Sequence, residues 1–310
     1  MEQQKGSKKA LKVVLLLLLA VGAVVALLPY GAAASWHKIF SFFGLNDFSA
    51  AADQSPMSVH ILEVGKADSI FVECGGKYML VDGGTADRGE FVAEYLNRRG
   101  VKQLDYVVNT HPDDDHIGGL SEVISRFPVG CYLAPDIPKE LIPSSEEYFA
   151  VQAALNKKNL SVTTPKCGES FSLGNLKIQV LAPVSPGNST NNNSIVLRLT
   201  YGNTKFLLMG DAEKEEESGL IASKAELSAD VLKVGHHGSG TSTTVSLLNA
   251  VRPRYAAISV ADDTNHLPND SVLKRLNDAG AQIYRTDISG TVIFLSNGKT
   301  VSVVTGRSKQ

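Results

Sequence analysis

At 310 residues, with 43% hydrophobic and 20% charged positions, the chain is long enough to bury a large core and too apolar to be disordered or fibrous. Thirty Lys and Arg against 32 Asp and Glu leave a formal net charge of -2, which excludes the whole-chain basic excess of a non-specific nucleic-acid binder and confines any phosphate contact to a local site. Three cysteines (Cys74, Cys131 and Cys167), spaced 57 and 36 residues apart, make neither a metal ribbon nor a disulfide framework, so sulfur chemistry is not expected to carry the function.

The N-terminus differs from everything after it. Lys5, Lys8, Lys9 and Lys12 precede the uncharged run Val13 to Pro29. That run is about 17 residues, the short end for a hydrocarbon core of roughly 30 Å, and Ala32-Ala33-Ala34 offers small residues for cleavage. Residues 1–35 therefore read as a signal peptide or a membrane anchor. Either fate holds the lysines inside and places the rest outside the cytoplasm, secreted or on the outer face of the membrane. Residues 36–56, with Gly44, Asn46, Ser49 and Pro56, read as a linker.

From Met57 short apolar runs alternate with turn residues. Strands are expected at 57–64, 69–73 and 78–81, then a helix 88–99, a strand 104–109, a helix 117–127, a strand 131–134 and a helix 145–157. A second set of strands follows at 171–182, 194–200 and 205–209, with Tyr201-Gly202-Asn203-Thr204 as a hairpin turn. Alternation then resumes: helices 212–224, 242–251 and 270–279 are interleaved with strands 229–234, 255–260, 282–285 and 291–295. Hairpins followed by α/β alternation occur twice, which predicts an α/β protein of two sheets packed face to face with helices outside, an αββα sandwich over 57–307.

The densest polar cluster, Thr110-His111-Pro112-Asp113-Asp114-Asp115-His116, directly follows the apolar strand Leu104 to Val108. Loops at strand C-termini are where open α/β sheets bind ligands, and two imidazoles with three carboxylates in six residues suit a divalent cation such as Zn²⁺ or Mn²⁺. A solvated acidic turn explains one or two of these residues but not both histidines. Asp82, Asp211, His236-His237 and His266 also lie at or beyond strand ends, and five of the seven histidines (all but His37 and His60) fall in these loops. A two-metal centre needs that convergence.

With those residues in place, the chain over roughly 57–300 resembles the metallo-β-lactamase-fold hydrolases. Their H-x-H-x-D-H signature reads here as His111, Asp113, Asp115 and His116, with Asp at the second ligand position. The subgroup it resembles most is the extracellular hydrolase domain of ComEC-type competence DNA-uptake proteins. That resemblance rests on Leu62-Glu63-Val64-Gly65-Lys66-Ala67-Asp68-Ser69, Leu80-Val81-Asp82-Gly83-Gly84, Asn191-Asn192-Asn193-Ser194, Met209-Gly210-Asp211 and Leu232-Lys233-Val234-Gly235-His236-His237-Gly238-Ser239.

The resemblance implies the four-layer αββα metallo-β-lactamase fold and two divalent ions. His111 and Asp113 would hold one ion, Asp115 and His116 the other, and Asp211 would bridge them. His266, in Asn265-His266-Leu267-Pro268 where the family has Gly-His-Pro, is expected to complete the second site. From the chemistry of the pair, His237 or its neighbour His236 is the candidate for proton donor to the leaving group or for a further ligand, and which of these three histidines completes the second site stays open. Asp82 is expected to orient a ligating histidine. Asn193 stands in the segment of the family's middle histidine ligand.

A bound cation generates hydroxide at neutral pH, so Asp115 and His237 head the catalytic set and no protein nucleophile is needed. The carboxylate-rich first site suits Mn²⁺ beside Zn²⁺ and a substrate with phosphoryl oxygens, either DNA or a smaller phosphodiester. A lactone, β-lactam or choline-phosphate-type ester hydrolase and a non-catalytic surface binding module are the competing readings.

Overall fold

The computed structural model describes residues 55–261 and 266–307. The expected leader and nearly all of the expected linker lie outside the described residues. No helix among the described residues is long and apolar enough to cross a membrane. All three cysteines are unpaired.

The first half of the chain supplies β1 (Met57–Ile61), β2 (Ile70–Cys74), β3 (Lys77–Val81), β4 (Leu104–Val108), β5 (Val129–Leu133) and β6 (Val162–Thr163). Its helices are α1 (Gly89–Arg98), α2 (Asp114–Ile117), α3 (Leu120–Arg126) and α4 (Glu146–Lys157). The second half supplies β7 (Ser170–Leu173), β8 (Leu176–Ala182), β9 (Val196–Tyr201), β10 (Thr204–Leu208), β11 (Val231–Lys233), β12 (Tyr255–Ile258) and β13 (Gln282–Arg285). Between these strands run α5 (Lys214–Ala222), α6 (Val245–Val251) and α7 (Asp270–Asp278), and after them come α8 (Thr286–Ser289), β14 (Val292–Ser296) and β15 (Val301–Thr305).

Two mixed sheets result. One has the order β15-β14-β1-β2-β3-β4-β5-β6 and the other β13-β12-β11-β10-β9-β8-β7. In each, an antiparallel half adjoins a parallel one: β3 to β6 run parallel, as do β10 to β13. The period-2 alternation of strand side chains explains the layers. Met57, Val59 and Ile61 of β1 pack with Ile178 of β8, Leu199 of β9 and Phe206 of β10 in a core between the sheets. Intervening residues face outward, where Phe71, Leu80 and Val107 meet Val92 and Leu96 of α1 and Val123 of α3. On the other sheet Leu207, Leu232 and Ala256 meet Leu220 of α5, Leu248 of α6 and Leu276 of α7. Helix, sheet, sheet and helix are the four expected layers.

Several boundaries differ from the sequence reading. The expected strand 171–182 is a hairpin, because Gly174 turns the chain with positive φ between β7 and β8. The expected helix 117–127 is split into α2 and α3 around Gly118-Gly119. A Cβ on Gly119 would lie 2.1 Å from the carbonyl oxygen of Gly83, so backbone packs directly on backbone there. Strands β6 and β15 were not expected; β15 pairs antiparallel with β14 and closes that sheet.

Candidate metal centre

The parallel strand halves carry their C-terminal ends to one rim. Register pairs Val81 of β3 with Val108 of β4, and Leu208 of β10 with Lys233 of β11. The residues following these ends therefore meet. Asp82 leaves β3 with φ 58 and accepts at Oδ1 from the Thr110 backbone N–H (2.7 Å) and at Oδ2 from the Thr110 hydroxyl (2.7 Å). Its Oδ2 also accepts from His116 Nδ1 at 2.9 Å. The 111–119 turn is fastened to the 82–84 turn by Gly83 N–H donating to the His116 carbonyl (2.7 Å) and Gly119 N–H to the Gly84 carbonyl (3.0 Å).

With Nδ1 engaged, the fully buried His116 points Nε2 at 3.3 Å from Asp211 Oδ1 and 3.3 Å from His237 Nε2. Among the described residues three groups of candidate ligand atoms share this ring, each with all atoms within 4.8 Å: His111, His116 and Asp211; Asp115, His116 and His237; and Asp68, Asp82 and His116, the last engaging it from the Nδ1 side. His237 Nε2 lies 3.5 Å from both Asp115 Oδ2 and Asp211 Oδ2, while its Nδ1 is 3.0 Å from the Ser259 carbonyl beyond β12. Asp113 stands 3.6 Å from His111 Nε2 and is partly exposed. His111 Nε2 and Asp211 Oδ1 are buried without a hydrogen bond. Buried polar atoms left this way call for an explanation, and a cation held by this imidazole and carboxylate set supplies it.

Electrostatics agree. Burial pushes the His116 imidazole down, but the carboxylates of Asp211 and Asp82 outweigh it and hold the ring well above its ordinary pKa. Burial likewise acts against ionising Asp211, yet His116 and His237 keep it well below the usual carboxylate range. Asp115 is held low by His237, His116 and Lys66 against the same desolvation. Such a field is one that a positive ion finds favourable.

The two adjacent histidines part company. Both residues have left-handed backbone, φ 50 and 53, in the tight turn after β11. His237, expected as proton donor, turns inward to the cluster. His236, expected as a ligand, is partly exposed, with Nε2 3.9 Å from Asp211 Oδ2 and Nδ1 3.4 Å from Glu213 Oε1. His266 is exposed and belongs to none of these groups of candidate ligand atoms. Asn193 is fully buried but spends its amide on the 187–193 loop, accepting from Gly187 N–H and donating to the Gly187 and Ser189 carbonyls. Its neighbour Ser194 reaches the cluster instead: its Oγ accepts from the Asp211 backbone N–H (3.1 Å) and lies 3.4 Å from His111 Nδ1.

Two lysines were missed. Lys66 Nζ is 2.6 Å from Asp115 Oδ2. Lys233, fully buried on the inner face of β11, reaches Asp68 Oδ2 in the loop between β1 and β2 at 2.9 Å, and Asp68 Oδ1 lies 3.8 Å from His237 Nδ1. A lysine inside the apolar run Val231 to Val234 was the available signal for it.

Fold and donor set together describe a metallohydrolase-type scaffold, and residues 62–261 match the metallo-beta-lactamase superfamily. The chain belongs to that superfamily. Among curated relatives it is 32% identical over 256 residues to ComE operon protein 3 of Bacillus subtilis (76% of this chain, 32% of that protein) and 29% identical over 287 residues to competence protein ComA of Neisseria gonorrhoeae (90% and 38%). It thus spans about a third of the length of these relatives. The solved structure of Igni18, a metallo hydrolase from the archaeon Ignicoccus hospitalis, shares the fold with TM-score 0.51 at 16% identity, covering 77% of this chain and all of that one.

Proposed function

We propose that the chain is a metal-dependent phosphodiesterase acting outside the cytoplasmic membrane, on nucleic acid or a smaller phosphodiester. The observation that carries this reading is the convergence of His111, Asp115, His116, Asp211 and His237 on one rim, with His111 Nε2 and Asp211 Oδ1 buried and without a hydrogen bond. On this reading His111, Asp113 and Asp211 would hold one divalent ion, and Asp115, His116 and His237, with Asp211 beside them, would hold the other. Bound there, Zn²⁺ or Mn²⁺ supplies a Lewis acid and lowers the pKa of water from about 15.7 toward 7.

The chain's own groups do the rest. Asp82 fixes the His116 tautomer by accepting the hydrogen bond from Nδ1–H, so that Nε2 is left to face the site. Ser194 holds the Asp211 backbone, and Ser259 orients His237. On this reading His236, on the solvent side with Glu213 beside its Nδ1, is the group that would pass a proton to the leaving oxygen. Five carboxylates in or behind the cluster (Asp68, Asp82, Asp113, Asp115 and Asp211) make it harder and more anionic than an all-imidazole site, which favours Mn²⁺ alongside Zn²⁺ and a phosphoryl substrate. Location outside the membrane rests on the Lys5 to Lys12 charge ahead of the uncharged run. A fusion after Gln310 that reports only from the cytoplasm contradicts it.

Metal analysis of the purified full chain, combined with a panel of phosphodiester, nucleic-acid, lactone and β-lactam substrates, tests the reading. Mn²⁺ is expected to support phosphodiester cleavage at least as well as Zn²⁺, and Asp113→His to shift that preference toward Zn²⁺. Efficient opening of lactones or β-lactams with every phosphodiester untouched overturns it.

A further inference from the structure

The three groups of candidate ligand atoms around His116 do not face the same neighbours. In the first, the Asp211 carboxylate faces histidines: His116 Nε2 at 3.3 Å, His237 Nε2 at 3.5 Å and His236 Nε2 at 3.9 Å. In each of the other two, a carboxylate carries an ammonium. Asp68, on the Nδ1 side, pairs with Lys233 at 2.9 Å, both side chains withdrawn from water. Asp115, grouped with His116 and His237, pairs with Lys66 at 2.6 Å.

One loop sets both pairs. Between β1 and β2 the chain turns at Gly65 with φ 86, and the Asp68 backbone fastens the turn to the rim: its N–H donates to the Asp115 carbonyl (3.1 Å) and its carbonyl accepts from Gly84 N–H (2.7 Å). Main-chain bonds thus bring Lys66 to Asp115. The ammonium lies on Oδ2, the same oxygen that His237 Nε2 faces at 3.5 Å. A cation drawn between Asp115 and His237 therefore meets a positive charge already seated on its carboxylate oxygen, and like charges a few ångströms apart repel even through water.

Burial separates the two lysines. Freeing Lys233 from Asp68 would leave an uncompensated charge in the interior, so that ammonium stays. Lys66 and Asp115 keep 30% and 21% of their side-chain surfaces open to water, where an ion pair contributes little and exchanges readily. We propose that Lys66 is a built-in competitor for the second ion: the position at Asp115, His116 and His237 binds a divalent cation more weakly than the position at His111 and Asp211. The chain then holds one ion firmly and takes up the other only as free divalent cation rises, so occupancy of the second position follows the metal concentration around it. This rests on the two-ion reading and deepens it, from two ions to two ions of unequal hold.

The test is a titration of Mn²⁺ into the metal-stripped full chain, read by calorimetry and by the electron paramagnetic resonance signal of free Mn²⁺. Wild type is expected to show two steps separated by about tenfold or more in affinity. Lys66→Met keeps the length of the stem and withdraws the charge; it is expected to tighten the weaker step about tenfold and to leave the tighter one within about twofold. Lys66→Gln, a second neutral variant, should do the same, whereas Lys66→Arg keeps the charge and the gap between the steps. Lys77, paired with Asp105 at the end of β3 away from the rim, is the control for net charge, and Lys77→Met should titrate like wild type. The inference is overturned by equal affinities in wild type, by an unchanged or weaker second step in both neutral variants, or by an equal tightening in Lys77→Met; those outcomes leave the phosphodiesterase reading standing. Failure of the fully loaded wild type to cleave bis(p-nitrophenyl) phosphate overturns that parent reading alone, and a wild type that binds no Mn²⁺ overturns both.

Discussion

His60 and His116 are both fully buried, about as far from water as a histidine can be, and the fold treats them in opposite ways. His60 sits on the outward face of β1 under α1, between two hydroxyls: its Nδ1 is 2.6 Å from Tyr95 Oη and its Nε2 is 2.7 Å from Ser58 Oγ. Burial, with Arg99 adding to it, drives its pKa down to about 3. His116 meets the same burial, but carboxylates at both ring nitrogens reverse the sign. Hydroxyls accept or donate and so fit a neutral ring in either tautomer, whereas carboxylates only accept and demand positive charge. A buried imidazole is thus structural or cation-directed according to its partners and not its depth.

The hardest blow to the His116 side is Asp211→Ala. Asp211 faces His116 and His237 directly and His236 at longer range, so its loss removes a carboxylate from both candidate ion positions. Metal content by mass spectrometry is expected to collapse together with hydrolysis, while the thermal transition survives. Wild-type metal content in this variant breaks the two-ion reading.

The His60 side is broken with acid. Its folded pKa of about 3 lies below the ordinary 6.5, so the unfolded chain takes up a proton that the folded one refuses. The His60 contribution is therefore fully present above pH 6.5 and is lost progressively as pH falls from 6.5 toward 3. The gap corresponds to about 5 kcal/mol at most. Urea unfolding of wild type and His60→Gln at several pH values checks this: the difference between them should shrink as pH falls through that window. A difference that stays constant with pH shows that His60 does not refuse the proton.

A smaller effect sharpens the contrast. Asp82→Asn keeps a side chain that can accept from Thr110 but withdraws the charge behind His116. Groups that orient a ligating histidine typically change metal affinity by about 10–100-fold, so a competitive chelator titration should find a loss in that range with Mn²⁺ or Zn²⁺. Unchanged affinity shows that His116 needs no anchoring carboxylate.

The pair also measures what the sequence disclosed. The rim was legible because strand C-termini are marked by apolar runs such as Leu104 to Val108, and ligand-type residues follow them directly. His60 was legible only as one of the two histidines outside those loops, since its partner Tyr95 comes from a helix 35 residues away. The His236-His237 pair could not be divided from sequence, because both adopt left-handed backbone in one turn and the turn alone decides which ring faces in. Asn193 and Ser194 reversed for the same reason: adjacent side chains point to opposite sides, and one residue of register separates a loop-closing amide from a hydroxyl on Asp211. Lys233 escaped because a charge inside a buried strand makes sense only when Asp68, from the loop between β1 and β2, is seen opposite it.

The least expected effect isolates hydrogen bonding from charge. Ser58→Ala removes the hydroxyl 2.7 Å from His60 Nε2 and leaves that nitrogen buried without its partner. An unsatisfied buried polar group of this kind costs about 1–3 kcal/mol. Burial and Arg99, the causes that keep His60 neutral, remain in place, so the loss should be nearly the same at pH 8 and pH 7, where the ring is neutral in the folded chain and largely so in the unfolded one. Metal content should not change, because the ring lies on the helix side of β1 and outside the His116 groups. Unfolding free energies at the two pH values, with metal analysis of the same samples, decide it. A loss that grows steeply between them, or one accompanied by metal loss, would tie His60 electrostatically to the rim and dissolve the distinction between the two histidines.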